Sequence, residues 1–202
     1  VNDEQKEFVR KGFQSTERMI SIVNDLLSID KMESDKPDFH FQPKRLEDII
    51  ESVRGEFDNQ AQSKQIALTF KKTTKPLPEI EVDEIKLRMV LENFIDNAIK
   101  YTPKGGAVTV ALDDTGLNTA SNTVKVSITD TGIGITEADK PKIFSKFYRA
   151  PSAVGVEPDG SGLGLFIAKD IVERHGGTVW FDTEAGKGTT FNLTLPVHQK
   201  KV

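Results

Sequence analysis

The stretch Asp83-Glu84-Ile85-Lys86-Leu87-Arg88-Met89-Val90-Leu91-Glu92-Asn93-Phe94-Ile95-Asp96-Asn97-Ala98-Ile99-Lys100 decides how the rest of the chain is read. Ile85, Leu87, Val90, Leu91, Phe94, Ile95 and Ile99 recur at helical spacing, and Asp83 stands where a side-chain oxygen can cap the first turn. The pattern predicts a helix from Asp83 to Lys100. Two asparagines inside it, Asn93 and Asn97, are four residues apart and share a face. Asparagine is a mediocre helix former. A pair in mid-helix is therefore either two solvated amides or two carbonyl oxygens turned to a cleft as ligands for a hard cation such as Mg2+. Lys100, three residues further on, can reach the same anionic ligand.

On the C-terminal side, Pro103-Lys104-Gly105-Gly106 turns the chain. Residues 108–112 and 124–130 alternate as paired strands around a polar loop at 114–122. Thr136 and Asp139 have the spacing of a capping box for a short helix running into Phe144. Residues 150–160 read as loop, and a helix is expected from about 162 to 175, stopped by Gly176-Gly177. Strands at 178–183 and 189–195 close the pattern. On the N-terminal side, Phe39 and Phe41 bracket His40 in a short strand ended by Pro43. A helix follows over 46–63, then strands at 66–70 and 80–82. Helices and strands mix without a regular βαβ alternation. The expected fold is α+β, a two-layer α/β sandwich with a mixed sheet covered by helices on one face.

Ahead of this domain, residues 1–33 read as one long helix. Val9, Phe13, Thr16, Ile20, Val23, Leu27 and Asp30 follow at alternating spacings of four and three, a heptad seam widened by Met19 and Leu26. Such a helix either packs on its own domain or is a strand of a helical bundle or dimer. A polar break with Pro37 at 34–38 is a plausible hinge. The chain opens at Val1 without an initiator Met, as expected of a piece of something longer.

Composition narrows the classes. The chain has 202 residues, with 27 Lys and Arg against 31 Asp and Glu, for a formal net charge of −4. That balance argues against nucleic-acid binding, which needs clustered basic excess. Hydrophobic residues at 37% and charged residues at 29% suit a soluble, cytoplasmic globular protein rather than a disordered one. The absence of cysteine removes disulfides, thiolate metal sites and cysteine nucleophiles. His40, His175 and His198 show no zinc spacing. No apolar run is long enough for a transmembrane helix, so no membrane contact is expected of this segment.

Three further motifs carry chemistry. Asp130-Thr131-Gly132-Ile133-Gly134-Ile135 comes straight off a strand, with two glycines that admit a ligand to the backbone and a carboxylate able to accept from an amino group. Gly160-Ser161-Gly162-Leu163-Gly164-Leu165 opens a helix, whose N-terminal amides and dipole favour phosphate. It is neither a Walker loop nor part of a Rossmann unit. In Phe144-Ser145-Lys146-Phe147-Tyr148-Arg149 the two phenylalanines read as core packing, and Arg149 sits where a guanidinium can clamp a phosphate.

Each motif alone is also a common turn or helix start; their order and spacing are not. Glu92-Asn93-Phe94-Ile95-Asp96-Asn97-Ala98-Ile99-Lys100-Tyr101, then 130–135, 144–149 and 160–165, closed by Gly186-Lys187-Gly188-Thr189-Thr190-Phe191, resemble the ATP-binding catalytic domain of sensor histidine kinases of two-component systems. That domain lies in the wider gyrase, chaperone, histidine-kinase and mismatch-repair ATPase superfamily. The resemblance covers about residues 39–197. Residues 1–34, with Val23-Asn24-Asp25-Leu26-Leu27, are similar to the second helix of the family's dimerisation hairpin.

The resemblance implies roles residue by residue. Asp130 would accept the adenine amino group, and a base presenting a carbonyl there would lose roughly 1–3 kcal/mol or more. Asn97 would ligate Mg2+ on ATP, with Asn93 beside it as a catalytic residue and possible second ligand. Lys100 would touch phosphate, and Tyr101 would pack near sugar or base. Gly132 and Gly134 would admit the nucleotide. Gly160, Gly162 and Gly164 would let a lid close, with Leu163 and Leu165 starting the helix aimed at the phosphates. Thr189 would help hold adenine, and Arg149 would neutralise charge on the transferred γ-phosphoryl group. The implied activity is that of a protein-histidine kinase. The acceptor would be a histidine on a dimerisation hairpin, and the phosphoryl group would pass to a response-regulator receiver domain. The parent protein would be a membrane-attached sensor with this portion in the cytoplasm.

The family's acceptor context, His-Glu/Asp-x-x-x-Pro, is absent, and His40, His175 and His198 are read as structural or solvated. Self-phosphorylation of this chain is therefore not expected. The alternatives are a related serine kinase or ATPase of the same superfamily, and a nucleotide-binding docking or dimerisation module without transfer.

Overall fold

The computed structural model describes residues 39–117, 122–158 and 160–199, together with residues 2, 5–10, 12, 13, 15, 16, 19, 20, 23 and 27. The described positions between 5 and 27 are helical, and Phe8, Val9, Phe13, Met19, Ile20, Val23 and Leu27 are exposed. Leu26 and Asp30 of the expected seam, and the break at 34–38, lie outside the described residues.

From residue 39 onward the elements run β1 (Gln42–Lys44), α1 (Leu46–Glu56), α2 (Asp58–Ser63), β2 (Ala67–Lys71), β3 (Ile80–Val82), α3 (Glu84–Tyr101), β4 (Ala107–Asp113) and β5 (Thr123–Asp130). A 3-10 turn (Lys140–Lys142), α4 (Pro151–Val156), α5 (Gly164–Arg174), β6 (Thr178–Glu184) and β7 (Gly188–Pro196) complete the order. One sheet has the order β2-β4-β5-β7-β6, and β1 pairs separately with β3. The β2–β4 pair is parallel and the other pairs of the large sheet are antiparallel. The mixed sheet with its helices is the α+β arrangement that the sequence predicts.

Period-two alternation gives the sheet one dry face. In β5, Val124, Val126 and Ile128 are fully buried while Lys125, Ser127 and Thr129 point the other way. Hydroxyl pairs tie the strands on the wet face: Thr69–Thr109 at 3.0 Å, Thr129–Thr190 at 3.0 Å and Thr178–Thr194 at 2.8 Å. On the dry face lies α3, whose Leu87, Leu91, Phe94 and Ile95 are inaccessible to solvent. Phe94 stacks on Phe191 of β7 with ring centroids 5.1 Å apart. The cap is the one expected, with the Asp83 carboxylate accepting from Lys86 N at 3.0 Å. The packed helix thus fixes both asparagines relative to the sheet.

Several local expectations are corrected. Ile85 is 73% exposed. It lies two residues from Leu87, roughly 200° around the helix, and so faces away from the core. The strand at the start of the domain is 42–44 and includes Pro43, which an edge strand tolerates. Phe39 and Phe41 precede it and pack edge-on against the His175 ring at 5.4 and 5.2 Å. The expected single helix 46–63 breaks at Phe57 into α1 and α2. The helix after Thr136 is only a 3-10 turn, and ahead of it Thr136 donates to the Asp139 side chain at 2.7 Å. Part of the expected loop 150–160 is the helix α4, with Pro151 at its start. Phe147 is 63% exposed, whereas Phe144 packs against Phe181 and Phe191 as a core residue. Among the described residues no helix is long and apolar enough to cross a membrane.

Candidate functional site

The end of β5 and the start of β7 build a floor around Asp130. The residue is 7% exposed, and its carboxylate Oδ1 accepts from Gly132 N at 2.8 Å and from Thr189 N at 3.2 Å. Oδ2 has no partner among the described residues. Burial pushes the Asp130 carboxyl above its ordinary value, and the two backbone donors pull the other way. The glycines are steric necessities. A Cβ on Gly132 would sit 2.6 Å from Asp130 Oδ1 and 2.7 Å from Tyr101 O, and one on Gly188 would collide with Asp130 O. Gly134 has φ +66° against the Glu184 carbonyl. Thr189 contributes its N–H to the floor, while its hydroxyl pairs with Thr183 Oγ1 at 2.9 Å.

One wall is the asparagine face of α3. Asn97 Nδ2 donates to Asn93 Oδ1 at 3.0 Å, so each amide fixes the other's rotation. The Asn97 oxygen is left without a partner among the described residues, and the Asn93 amide nitrogen lies against Gly164, where a Cβ would collide with it. The N-terminus of α5 is therefore packed onto the asparagine pair. Among the described residues no three His, Cys, Asp or Glu are grouped to hold a metal. A cation here would depend on amide and ligand oxygens, and the free Asn97 oxygen is a donor suited to Mg2+.

Lys100 is ion-paired with Asp96 at 2.6 Å. Burial pulls its ammonium down, but the Asp96 hydrogen bond and charge and the Glu157 charge outweigh that and raise it. Tyr101 is half-buried, and its carbonyl accepts from Ile133 N at 3.2 Å, joining the end of α3 to the glycine loop.

Residues 147 and 162, at the two ends of the segment that carries α4, come into contact. Phe147 adopts φ +62°, and a Cβ on Gly162 (φ +71°) would stand 2.8 Å from the Phe147 carbonyl carbon. Tyr148 anchors the first end, its hydroxyl donating to Asp139 Oδ1 at 2.6 Å. Arg149 is turned into the loop, donating to the carbonyls of Pro158 (2.6 Å) and Glu157, with its guanidinium against Gly160. Leu163 is fully buried, and Leu165 packs against the same core.

The structure thus groups Asn93, Asn97 and Gly164 in one contact, and Asp130, Gly132 and Thr189 in another, with Tyr101 joined to the second through Gly132 and Ile133. Arg149 and Gly160 meet inside the loop. Sequence reasoning missed Thr183, which accepts from Ile135 N at 3.0 Å, as well as the Tyr148–Asp139 anchor. It also missed Lys64, described below. Tyr148 and Asp139 each lie in a motif, but their pairing has no sequence signal, and Thr183 and Lys64 carry none at all. His175 is buried, with Nε2 accepting from Asp83 N at 3.1 Å and Nδ1 donating to Ile171 O at 2.8 Å. Burial lowers its basicity. It is a packing histidine that bolts α5 to the cap of α3.

Comparison with known proteins adds to this geometry. The profile described as histidine kinase-, DNA gyrase B-, and HSP90-like ATPase matches residues 82–199. Over 190 residues the chain is 38% identical to the sensor histidine kinase WalK of Bacillus subtilis (strain 168), covering 92% of this chain and 30% of that protein. The crystal structure of full-length ShkA in complex with AMPPNP superposes with a TM-score of 0.81 at 28% identity, covering all of this chain and 41% of that one. Histidine kinase ThkA, in complex with the response regulator protein TrrA, matches with a TM-score of 0.75 at 25% identity, over 98% of this chain and 52% of that one. The chain spans less than a third of the length of WalK.

Proposed function

The chain belongs to the histidine kinase-, DNA gyrase B- and HSP90-like ATPase family, and we propose that it is the catalytic portion of a sensor histidine kinase, binding Mg-ATP between the Asp130 floor and the asparagine face of α3. The observation that carries the reading is Asp130. It is a buried carboxylate with one oxygen fixed by two backbone donors and the other without a partner among the described residues. A group held this way presents one acceptor in a fixed direction and selects a ligand amino group, such as that of adenine. The glycines at 132 and 134 let the loop pack closely against Asp130, Tyr101 and Glu184, and Thr189 fixes the carboxylate through its N–H.

The phosphate end follows from the helix termini. The start of α5 lies against Asn93, where amide N–H groups and the helix dipole favour an anion. Asn97 holds Mg2+ through its free oxygen, with Asn93 as the residue that orients it. When bound, Mg2+ neutralises charge on the phosphate oxygens. Lys100 adds a cation, and Tyr101 packs beside the sugar. Arg149 faces the γ-phosphoryl group after exchanging its two carbonyl partners for phosphate oxygens. The γ-phosphoryl group goes to a histidine nitrogen on a dimerisation hairpin, of which residues 1–34 are the second helix, and from there to a receiver-domain aspartate. Residues 39–197 form the catalytic domain. The ShkA complex with AMPPNP supports nucleotide binding by likeness, and the ThkA complex with a response regulator supports a response-regulator partner.

Calorimetric titration of ATP into this chain, with and without Mg2+, tests the reading, with Asp130→Asn as the matched control. Saturable, Mg-dependent binding that collapses in the variant is expected. Folded protein that shows no saturable binding overturns the proposal. Incubation with radiolabelled ATP and a separately supplied hairpin bearing the acceptor histidine is expected to give acid-labile label on the hairpin. Label on serine would favour the serine-kinase alternative.

A further inference from the structure

The last turn of α3 ends at the glycine loop, and its carbonyls need partners. Thr102 N serves Ala98 O at 3.1 Å, and Ile133 N serves Tyr101 O at 3.2 Å. The two carbonyls between them are met by one side chain from outside the helix. Lys64 Nζ donates to Ile99 O at 2.8 Å and to Lys100 O at 2.5 Å. Neighbouring contacts fix the same turn. Gln60 Nε2 donates to Asp96 Oδ1 at 3.1 Å, Asp96 Oδ2 holds the Lys100 ammonium at 2.6 Å, and Gly105 N donates to Gln65 O at 3.1 Å. Lys64 comes from a segment ahead of residues 82–199, the part that the family profile matches.

We propose that Lys64 is a positioning residue for the phosphate end of the nucleotide site, holding the Ile99 and Lys100 carbonyls so that the Lys100 ammonium stays aimed at phosphate, and cancelling the negative end of the α3 dipole beside a polyanion. The inference rests on the nucleotide reading above. Its physical basis is that a helix C-terminus carries about −0.5 of a charge and repels phosphate, while a cation seated on its carbonyls reverses the sign. Burial lowers the basicity of the Lys64 ammonium, and the Glu157 charge opposes that at Lys64 and also favours the charged form of Lys100. The two ammonium groups thus present a field that already attracts one carboxylate and that a triphosphate can share.

The test compares ligands that differ only in phosphate. In Lys64→Met, calorimetry is expected to show ATP binding weakened about five- to tenfold, with adenosine affinity unchanged within about twofold. Lys64→Arg, which can reach both carbonyls with charge retained, is expected to restore most of the loss. In a Lys100→Met background, Lys64→Met is expected to weaken ATP much less than in the wild type, because one acts through the other. Where Lys64→Met lowers the melting temperature too far, Lys64→Gln serves, with an expected loss of about threefold. ATP and adenosine weakened by the same factor would reduce Lys64 to a structural residue and overturn the inference. Unchanged ATP binding in Lys64→Met and Lys64→Gln, with the wild type binding normally, overturns it alone. A wild-type chain that binds neither ligand overturns the nucleotide reading and this inference together.

Discussion

Asp130 and Arg149 are both charged groups expected at the same ligand, yet they are held in different ways. Asp130 is buried and gripped by the backbone of two separate elements, with one oxygen left over. Arg149 makes its two hydrogen bonds inside its own loop, to carbonyls eight and nine residues away. The floor is thus built into the sheet and ready for a ligand. The loop is closed on itself, and on the proposed reading it would give up internal bonds to engage one. A floor of the first kind confers recognition, because its geometry exists before the ligand arrives. A loop of the second kind confers gating, because its bonds can be exchanged.

The sharpest way to break the floor is to fill it. Gly188 has φ +117°, and a Cβ there would collide with the Asp130 carbonyl, which belongs to a paired strand and has nowhere to go. Gly188→Ala is expected to cost about 3–5 kcal/mol of stability by urea denaturation, far more than a methyl at an open loop position such as Gly155. A loss under about 1 kcal/mol would show that the floor yields as easily as the loop does.

Asp130→Asn separates recognition from stability. The Asn oxygen can keep the bonds to Gly132 N and Thr189 N, which turns its NH2 group to where the free oxygen was. A donor then faces the ligand's donor, and ATP affinity is expected to fall at least tenfold, about 1.4 kcal/mol. The unliganded variant is expected to be as stable as the wild type or more so. A carboxyl raised in the folded state binds its proton more tightly there than in the unfolded chain. Its contribution is therefore full below the unfolded value of about 3.9 and is lost as pH rises through the folded value. At neutral pH the buried carboxylate is a burden that the amide removes. Denaturation of both forms at pH 7 checks this.

His175 lies just past the C-terminal end of α5, the helix whose start packs against Asn93. The ring is neutral in the fold, since Nε2 accepts from Asp83 N and burial lowers its basicity. With the folded value below the unfolded one, the unfolded chain binds the extra proton. Stability is therefore complete above about 6.5 and declines as pH falls below it. A denaturation series from pH 7.5 to 5 is expected to show that decline, and His175→Gln is expected to flatten it.

Much of this architecture is legible because its signals are local and repeated. The α3 period, the Asp83 cap, the alternation of β5 and the Gly176 stop each rest on residues adjacent in sequence. The failures share the opposite property. Phe39 and Phe41 look like a strand until His175, more than 130 positions away in sequence, supplies the ring they pack on. Lys64 sits in a polar stretch like any solvated lysine, and only the fold brings it to the carbonyls of α3. At the site, the motifs show which residues lie near one another. They do not reveal that Arg149 bonds its own loop, or that Thr189 uses its N–H rather than its hydroxyl toward Asp130.

The loop's counterpart to Gly188 is Gly155. It lies in α4, where a Cβ would meet nothing within 4 Å, and its backbone is helical. Gly155→Ala removes conformational freedom from the unfolded chain and adds helix propensity without a clash. The expected gain is about 0.5–1 kcal/mol for α4. It should appear mainly as slower proteolytic cleavage of the loop, with little change in global unfolding, because a self-closed unit opens on its own. If the same substitution raised the global unfolding free energy by its full amount, loop and floor would be one cooperative structure. The gating role assigned to the loop would then lose its physical basis, since Arg149 could not exchange partners without disturbing the sheet.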